Sequence, residues 1–128
     1  MGFPSPAKDY AQAELSLDEL CVKSKTATFF MRAEGNYPRV GIFADCILVV
    51  DRSRRPVDGS IVIADVDGRL RICMMQLSPY PALKSLVTLG VIKSLSGDND
   101  AEESTEIFGV VTYAVNNMTT FEFDDVPV

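Results

Sequence analysis

Histidine is absent from this chain of 128 residues. Without an imidazole there can be no Ser-His-Asp triad, no Cys-His dyad and no histidine metal ligand. Any catalytic base would therefore have to be a lysine, a carboxylate, a tyrosine or a cysteine. Cysteine is also scarce, since the chain has only Cys21, Cys46 and Cys73. An odd and widely spaced set predicts reduced thiols rather than a disulfide framework or a zinc site.

Positive charge is in short supply. Lysine and arginine number 12 against 18 acidic residues, which leaves a net charge of −6. Because binding to a nucleic-acid backbone depends on basic residues that displace counterions, direct DNA binding is not expected. Arg52, Arg54 and Arg55 form the one basic cluster, and we interpret it as a solvated turn. The carboxylates of residues 98–103 lack the order of a calcium-binding EF-hand loop and predict a solvated acidic loop.

Long hydrophobic runs are missing as well. No apolar stretch approaches the roughly 20 residues that span a bilayer. Residues 1–10 contain prolines and a serine but no apolar core of a signal peptide, so we predict a cytoplasmic protein. At 47% apolar residues, the chain has enough hydrophobic content for one folded domain. We expect no cofactor and no metal.

The domain organisation follows from turn and breaker residues. Pro4 and Pro6 disfavour helix, which predicts an extended arm over residues 1–14. Ser16 and Glu19 have the spacing of a capping box at the start of one short helix. We expect a single β domain over residues 15–118 and an acidic tail over residues 119–128.

The remaining pattern is typical of β structure. Apolar runs at residues 27–31, 47–50, 61–64 and 106–115 predict strands, and residues 86–95 predict one or two more around Gly90. Asp67-Gly68 is typical of a type I′ hairpin, because both residues must adopt positive φ, and residues 69–77 would be its second strand. The fold class predicted is a mostly antiparallel β domain.

Five blocks of sequence resemble the C-terminal domain of UmuD-type proteins, in the LexA-like family of self-cleaving SOS proteins. They occur in the family's order, with nearly its spacing, over about residues 2–118. The resemblance implies a LexA/UmuD-like fold of twisted antiparallel sheets, and a start that matches the processed UmuD′ form. The blocks are Gly-Phe-Pro-Ser-Pro-Ala and Asp-Tyr in residues 2–10, Leu-Asp-Glu-Leu and Ala-Thr-Phe-Phe in residues 17–30, Gly-Ile and Ile-Leu-Val-Val-Asp in residues 41–51, Gly, Ile-Val-Ile-Ala and Val-Asp-Gly in residues 59–68, and Ile-Phe-Gly-Val-Val in residues 107–111.

The residues of the family's serine–lysine dyad are absent. The resemblance places Tyr37 at the nucleophile position, in a loop that is one residue shorter, and Cys73 at the position of the lysine base. A serine nucleophile needs a base that takes its proton, and neither partner is present. Pro38 also removes a backbone N–H that could help to form an oxyanion hole. We therefore predict a degenerate serine peptidase without catalytic activity.

A new nucleophile at Cys73 is a further hypothesis. Arg69 and Arg71 would share its side of a regular strand, and nearby positive charge lowers a thiol pKa. The alternative, which we favour, is a thiol packed in the place of the former base. Met31, Met74 and Met75 are interpreted as core filling rather than an adaptable binding surface.

The resemblance implies a homodimer that binds a Y-family translesion polymerase subunit. An alternative is a pseudoprotease regulator that forms mixed dimers with an active UmuD or LexA-like protein. The apolar strand near residue 107 and the arm could pair with another chain, or the strand could be a core strand. The tail could be a docking motif or a disordered terminus. The candidate interface residues are Phe3, Pro4, Ile107, Phe108, Val110, Val111, Phe121 and Phe123.

Overall fold

A computed structural model describes residues 15–95, 106–124 and 126–128 of the chain. The arm over residues 1–14, with the candidate interface residues Phe3 and Pro4, lies outside the described residues. The acidic cluster of residues 98–103 lies outside them too. The predictions for these segments therefore stay predictions.

One short helix precedes the strands, and it begins where the sequence predicts. The Ser16 Oγ accepts a hydrogen bond from the Glu19 N–H at 3.4 Å, which caps helix α1 over Leu17–Cys21. The seven described strands are β1 (Thr28–Arg32), β2 (Ile47–Asp51), β3 (Ile61–Val66), β4 (Arg69–Gln76), β5 (Ala82–Lys84), β6 (Val91–Ser94) and β7 (Glu106–Val115).

These strands form one antiparallel sheet in the order β1-β2-β7-β3-β4-β5-β6. The prediction of a mostly antiparallel β domain with one short helix is confirmed. Strand β7 lies inside the sheet, since it pairs with β2 along its C-terminal half and with β3 along its N-terminal half. Strand β1 is an edge strand at one side.

The hairpin between β3 and β4 has the predicted turn. Asp67 and Gly68 adopt φ values of 53° and 85°, the positive values that a type I′ turn requires. The turn sets the register, so that Val62 faces Cys73 and Ile63 faces Ile72 across the two strands.

The strands predicted for residues 86–95 differ from those observed. β5 begins earlier, at Ala82, and only β6 falls within the predicted range. Residues between them form a turn because the Ser85 Oγ accepts hydrogen bonds from the N–H groups of Val87 and Thr88. A side chain that competes with the strand ladder for backbone donors ends the strand there.

Two clusters of buried residues lie against the sheet. Successive residues of a strand face opposite sides, so neighbouring residues of β3 and β4 belong to different clusters. The closed cluster consists of Val62, Ala64, Val66, Cys73, Met75, Leu83 and Val110. The groove cluster consists of Ala33, Ile42, Cys46, Leu48, Val50 and Ile63, with Tyr37 and Ile72 packed against it.

The four candidate interface residues of β7 contribute to both clusters. Val110 is buried in the closed cluster and Ile107 packs against it, while Phe108 and Val111 pack against the groove cluster. Their side chains are therefore engaged in the core of the chain, as expected for the core-strand interpretation of this segment. A partner surface here stays a prediction.

The described residues include no helix that is long and apolar enough to cross a membrane.

Candidate functional site

The loop that carries Tyr37 is closed by its own backbone. The Tyr37 N–H donates to the Ile42 carbonyl at 2.6 Å, and the Ile42 N–H donates to the Tyr37 carbonyl at 3.2 Å. Between them lies a single 3-10 turn over Pro38–Val40. Gly41 follows with a φ of 79°, a value that L side chains rarely adopt, and this reverses the chain. Pro38 has a structural role here, because it occupies the first turn, where a backbone N–H would have no partner.

Side chains hold this loop from both ends. The Asn36 Oδ1 accepts a hydrogen bond from the Ala44 N–H at 2.6 Å, and the Asn116 Nδ2 donates to the Gly41 carbonyl at 3.2 Å. The half-buried Tyr37 ring packs against the groove cluster. The loop is therefore tied to the end of β7 as well as to its own base.

Cys73 lies in a different environment. Its side chain is 0% exposed within the closed cluster, and it faces Val62 across the hairpin. Burial raises the pKa of the Cys73 thiol, and the positive charge of Arg71 lowers the pKa by a smaller amount. The hypothesis of an activated thiol is therefore not supported: one of the two suspected arginines acts in the expected direction, but burial outweighs it.

Tyr37 and Cys73, the positions that the resemblance assigns to the dyad, do not face the same side of the sheet. Ile72 packs against the groove cluster beside Tyr37, whereas its neighbour Cys73 packs in the closed cluster. Since consecutive strand residues point to opposite sides, the Cys73 side chain is directed away from the Tyr37 side of the sheet. No proton could pass directly between side chains that are separated in this way.

A groove of about 610 Å³ lies on the Tyr37 side of the sheet. Its apolar lining includes Leu48, Ile63 and Ile72, and Leu70 beside them is 50% exposed. This volume is within the usual range for ligand and peptide sites. The groove was missed by sequence reasoning, because its walls come from four strands that are distant in the chain.

Five charged residues contribute atoms to the walls of this groove. They are Arg32, Glu34, Asp67, Arg69 and Arg71. Asp67 is already paired with Lys93, whose Nζ lies 3.3 Å from the Asp67 Oδ1. Arg69 and Arg71 alternate with Leu70 and Ile72 along β4, so their side chains are directed to the Cys73 side of the sheet, and Arg71 acts on the Cys73 thiol. Arg32 and Glu34 are then the other charged residues of the groove, one of each sign. In the described ranges, no three His, Cys, Asp or Glu side chains lie close enough together to hold a metal ion.

The two aromatic residues of the tail lie beside the Tyr37 loop. Phe121 packs edge-on against Phe43 with ring centroids 6.4 Å apart, and it remains 47% exposed. Phe123 is half-buried, and its carbonyl accepts a hydrogen bond from Arg32. The tail therefore folds back onto its own chain in this structure, and a docking role of the two rings in another chain stays a prediction.

One protein family and several known proteins match this chain over most of its length. The model of the family described as Peptidase S24-like matches residues 1–86, a range that includes both Tyr37 and Cys73. Protein ImpA of Salmonella typhimurium is 40% identical over 116 residues, which is 90% of this chain and 77% of that protein. Protein SamA of Salmonella typhimurium strain LT2 is 38% identical over 112 residues, or 87% and 75% of the two chains. Protein MucA of Escherichia coli is 39% identical over 115 residues, or 89% and 77%.

Proposed function

This chain belongs to the peptidase S24-like family, in its UmuD-type group of SOS mutagenesis proteins, and we propose that it acts there as a non-catalytic accessory protein. The observation that carries this proposal is the placement of Cys73. A general base must reach the proton that it removes. The residue at the base position is buried on the far side of the sheet from Tyr37, and burial raises the pKa of its thiol.

The proposed role is binding. We propose that the chain forms a homodimer and that the dimer binds a Y-family translesion polymerase subunit. The net charge of −6 supports a basic protein surface as the partner, rather than DNA itself. Large exposed apolar side chains support a protein interface, and two of them are adjacent on the edge strand β1, where Phe29 is 40% and Phe30 is 46% exposed.

Affinity co-purification from cells with damaged DNA tests the binding role. A tag inserted within residues 97–105 leaves both termini free. Recovery of a Y-family polymerase subunit is the expected result. Recovery of a UmuD or LexA-like protein without a polymerase would favour a regulator that forms mixed dimers, and recovery of neither would contradict both roles.

A matched pair of variants sharpens this experiment. Phe30→Asp places a charge on the exposed edge strand and should abolish recovery of the partner. Val57→Asp places the same charge at another exposed apolar residue, 60% exposed in the loop before β3, and should leave recovery unchanged. Equal recovery with both variants would exclude the β1 edge as the partner surface.

A cleavage assay tests the absence of catalysis. The purified chain is incubated with a UmuD-type protein that retains its cleavage segment but has lost its own nucleophile, and we expect that protein to remain intact. Cleavage that is lost in Tyr37→Phe or Cys73→Ser would overturn the non-catalytic part of the proposal.

A further inference from the structure

Three arginines are concentrated in the turn that follows β2. Arg52, Arg54 and Arg55 are all exposed, although the chain as a whole carries a net charge of −6. The Arg52 N–H donates to the Ala27 carbonyl at 2.8 Å, which ties the start of the turn to the segment before β1. This concentration of positive charge on an acidic protein makes the turn a candidate contact for a negatively charged partner.

A buried carboxylate shapes the turn from inside. Asp51, the last residue of β2, is 6% exposed, and its Oδ1 accepts hydrogen bonds from the Ser53 N–H at 2.8 Å and the Ser53 Oγ at 2.6 Å. The Ser53 hydroxyl is the main reason that the pKa of Asp51 is lowered, and the positive charge of Arg54 adds to this effect. Arg54 is therefore partly neutralised by Asp51, and Arg52 and Arg55 are the charges most available to a partner.

Arg52 is held in one orientation by β7. Its guanidinium lies over the Phe108 ring, 4.5 Å from the centroid, and its Nε donates to the Phe108 carbonyl at 2.9 Å. A Cβ at Gly109 would lie 3.3 Å from the Arg52 Cγ, so the stem of the arginine passes close to this glycine. The Phe29 ring packs beside Phe108, with centroids 5.5 Å apart, and is 40% exposed. An arginine fixed by a ring and a carbonyl loses less side-chain freedom on binding, so Arg52 is preorganised for a ligand.

The outer edge of this guanidinium is available. In residues 15–95, 106–124 and 126–128, neither Nη nitrogen of Arg52 is in a hydrogen bond or an ion pair. Asp58 and Glu106, the carboxylates next along the chain from the turn and from Phe108, form no ion pair with it in the same ranges. The two Nη nitrogens of an arginine form a fork that can bind both oxygens of a carboxylate through parallel hydrogen bonds.

We propose that Arg52 is the anchor of a docking site for an acidic peptide segment on a partner protein. A carboxylate of the segment binds the two Nη nitrogens of Arg52, and the charge of Arg55 adds to the attraction. A neighbouring apolar side chain of the segment packs on the exposed Phe29 ring. The proposal goes beyond the accessory role and does not depend on which protein the chain assists.

This site is separate from the exposed Phe30 on the same edge strand. Phe108 packs against the groove cluster, and Phe29 contacts Phe108, so the site lies on that side of the sheet. Phe30 follows Phe29 directly in β1, and its side chain is therefore directed to the opposite side. Failure of the Phe30→Asp experiment and failure of the present proposal are thus distinguishable.

A short acidic segment suits this site better than a nucleic acid. A nucleic-acid strand carries a charge on every nucleotide, and the net charge of −6 would repel it beyond the turn. Sites for single strands also stack successive bases on several exposed rings, whereas Arg52 covers one face of Phe108. One carboxylate and one apolar side chain need only the groups that Arg52 and Phe29 present.

Fluorescence anisotropy with the full chain tests the site. The probe is a short fluorescein-labelled peptide of alternating glutamate and leucine, and the matched peptide has glutamine in place of every glutamate. The acidic peptide should bind at least about tenfold more tightly than the glutamine peptide, and Arg52→Gln should remove this difference. Arg39→Gln removes the same charge at an exposed arginine of the Tyr37 loop and should change the affinity by less than about twofold. Arg52→Lys keeps the charge but not the fork, so it should still weaken binding at least about threefold.

Equal weakening by Arg52→Gln and Arg39→Gln would overturn the proposal, because it would show attraction without a defined site. Equal binding of the two peptides, or no binding of the acidic peptide, would overturn it as well. Tighter binding of a labelled oligothymidine strand than of the acidic peptide would replace it with a nucleic-acid site.

A second measurement uses the unsubstituted chain and so does not depend on how a variant folds. The Arg52 Nε–H resonance in an NMR spectrum should shift when the acidic peptide is added at saturation, while the Arg39 resonance should stay in place. An unchanged Arg52 resonance with the peptide bound would show that the segment binds elsewhere and would contradict the proposal.

Discussion

The two sides of the sheet differ in how they enclose Cys73 and Tyr37. The closed cluster contains Cys73 without any exposed surface, next to other fully buried side chains such as Leu83. The members of the groove cluster are buried as well, but Tyr37 beside them is half-buried and an open groove adjoins them. Both sides of the sheet are packed core, and the groove adjoins the Tyr37 side.

This difference determines which side chains each of the two positions can accommodate. A fully buried position favours a small uncharged group such as the Cys73 thiol, because a charged ammonium there would be desolvated. The position of Tyr37 is only half-buried, so it does not require an uncharged side chain.

Placing a lysine on each side of the sheet should give the largest difference in stability between the two sides. Cys73→Lys introduces a longer and charged side chain into a fully buried site, and we expect a loss of about 4 kcal/mol or more in the free energy of unfolding. Tyr37→Lys, at a half-buried position beside open solvent, should cost about 1–2 kcal/mol. Urea denaturation at neutral pH measures both, and equal costs would contradict the distinction between the two sides.

Thiol reactivity gives the next largest contrast. Cys21 is half-buried at the end of α1, while Cys46 and Cys73 are buried in the two clusters. A thiol reagent should modify Cys21 at least about 100-fold faster than the two buried thiols in the native protein, and denaturant should abolish the difference. Cys21→Ser removes the fast phase in the control. Fast modification of Cys73 in that variant would revive the hypothesis of an active thiol.

A substitution at Gly109 tests how tightly β7 is packed, since this strand contributes residues to both clusters. A Cβ at this position would lie 2.7 Å from the Val50 Cγ1 and 3.3 Å from the Asp51 carbonyl oxygen. Because the backbone oxygen cannot move aside, Gly109→Ala should lower the free energy of unfolding by about 1–3 kcal/mol. Gly90→Ala is the matched control, since its Cβ would meet only the Thr88 Oγ1 at 3.4 Å, and should change stability by less than about 0.5 kcal/mol. Equal effects would show that β7 is less tightly packed than described.

The smallest expected effect is the pH dependence that Cys73, in the closed cluster, gives to the free energy of unfolding. Burial raises the pKa of Cys73, so the folded state keeps its proton at a pH where the unfolded chain has lost it. Stability from this group is complete below the unfolded thiol pKa of about 8.5, and it is lost as the pH rises above that value. The loss should be at most about 1.4 kcal/mol at about pH 9.5, because that pH lies about one unit above the unfolded pKa and one unit corresponds to about 1.4 kcal/mol.

Cys73→Ala should flatten this decline, measured as the change in urea midpoint between about pH 8 and pH 9.5. The comparison uses the slope with pH and not the absolute stability, because the substitution also removes packed atoms. An unchanged slope in Cys73→Ala would show that the thiol does not contribute to the pH dependence.

Local signals were sufficient for much of the fold. The Asp67-Gly68 pair and the apolar run of residues 106–115 predicted a hairpin and a strand that the structure contains with matching bounds. The strands after Pro81 were harder to predict, because Ser85 ends β5 through hydrogen bonds that apolar patterning does not reveal. The prediction for Arg52 was incomplete as well. Its guanidinium lies 4.5 Å from the centroid of the Phe108 ring and donates to the Phe108 carbonyl, a contact across 56 residues.

The sequence by itself determined the absence of imidazole chemistry, the acidic net charge and the β class. These properties depend on which residues are present and on patterns a few residues long. Only the tertiary structure decided that Cys73 and Tyr37 face different sides of the sheet, and that Arg32 donates to a main-chain oxygen 96 residues away. The reason is that the twist, register and order of the strands bring distant residues together, and a linear pattern does not specify which of them meet.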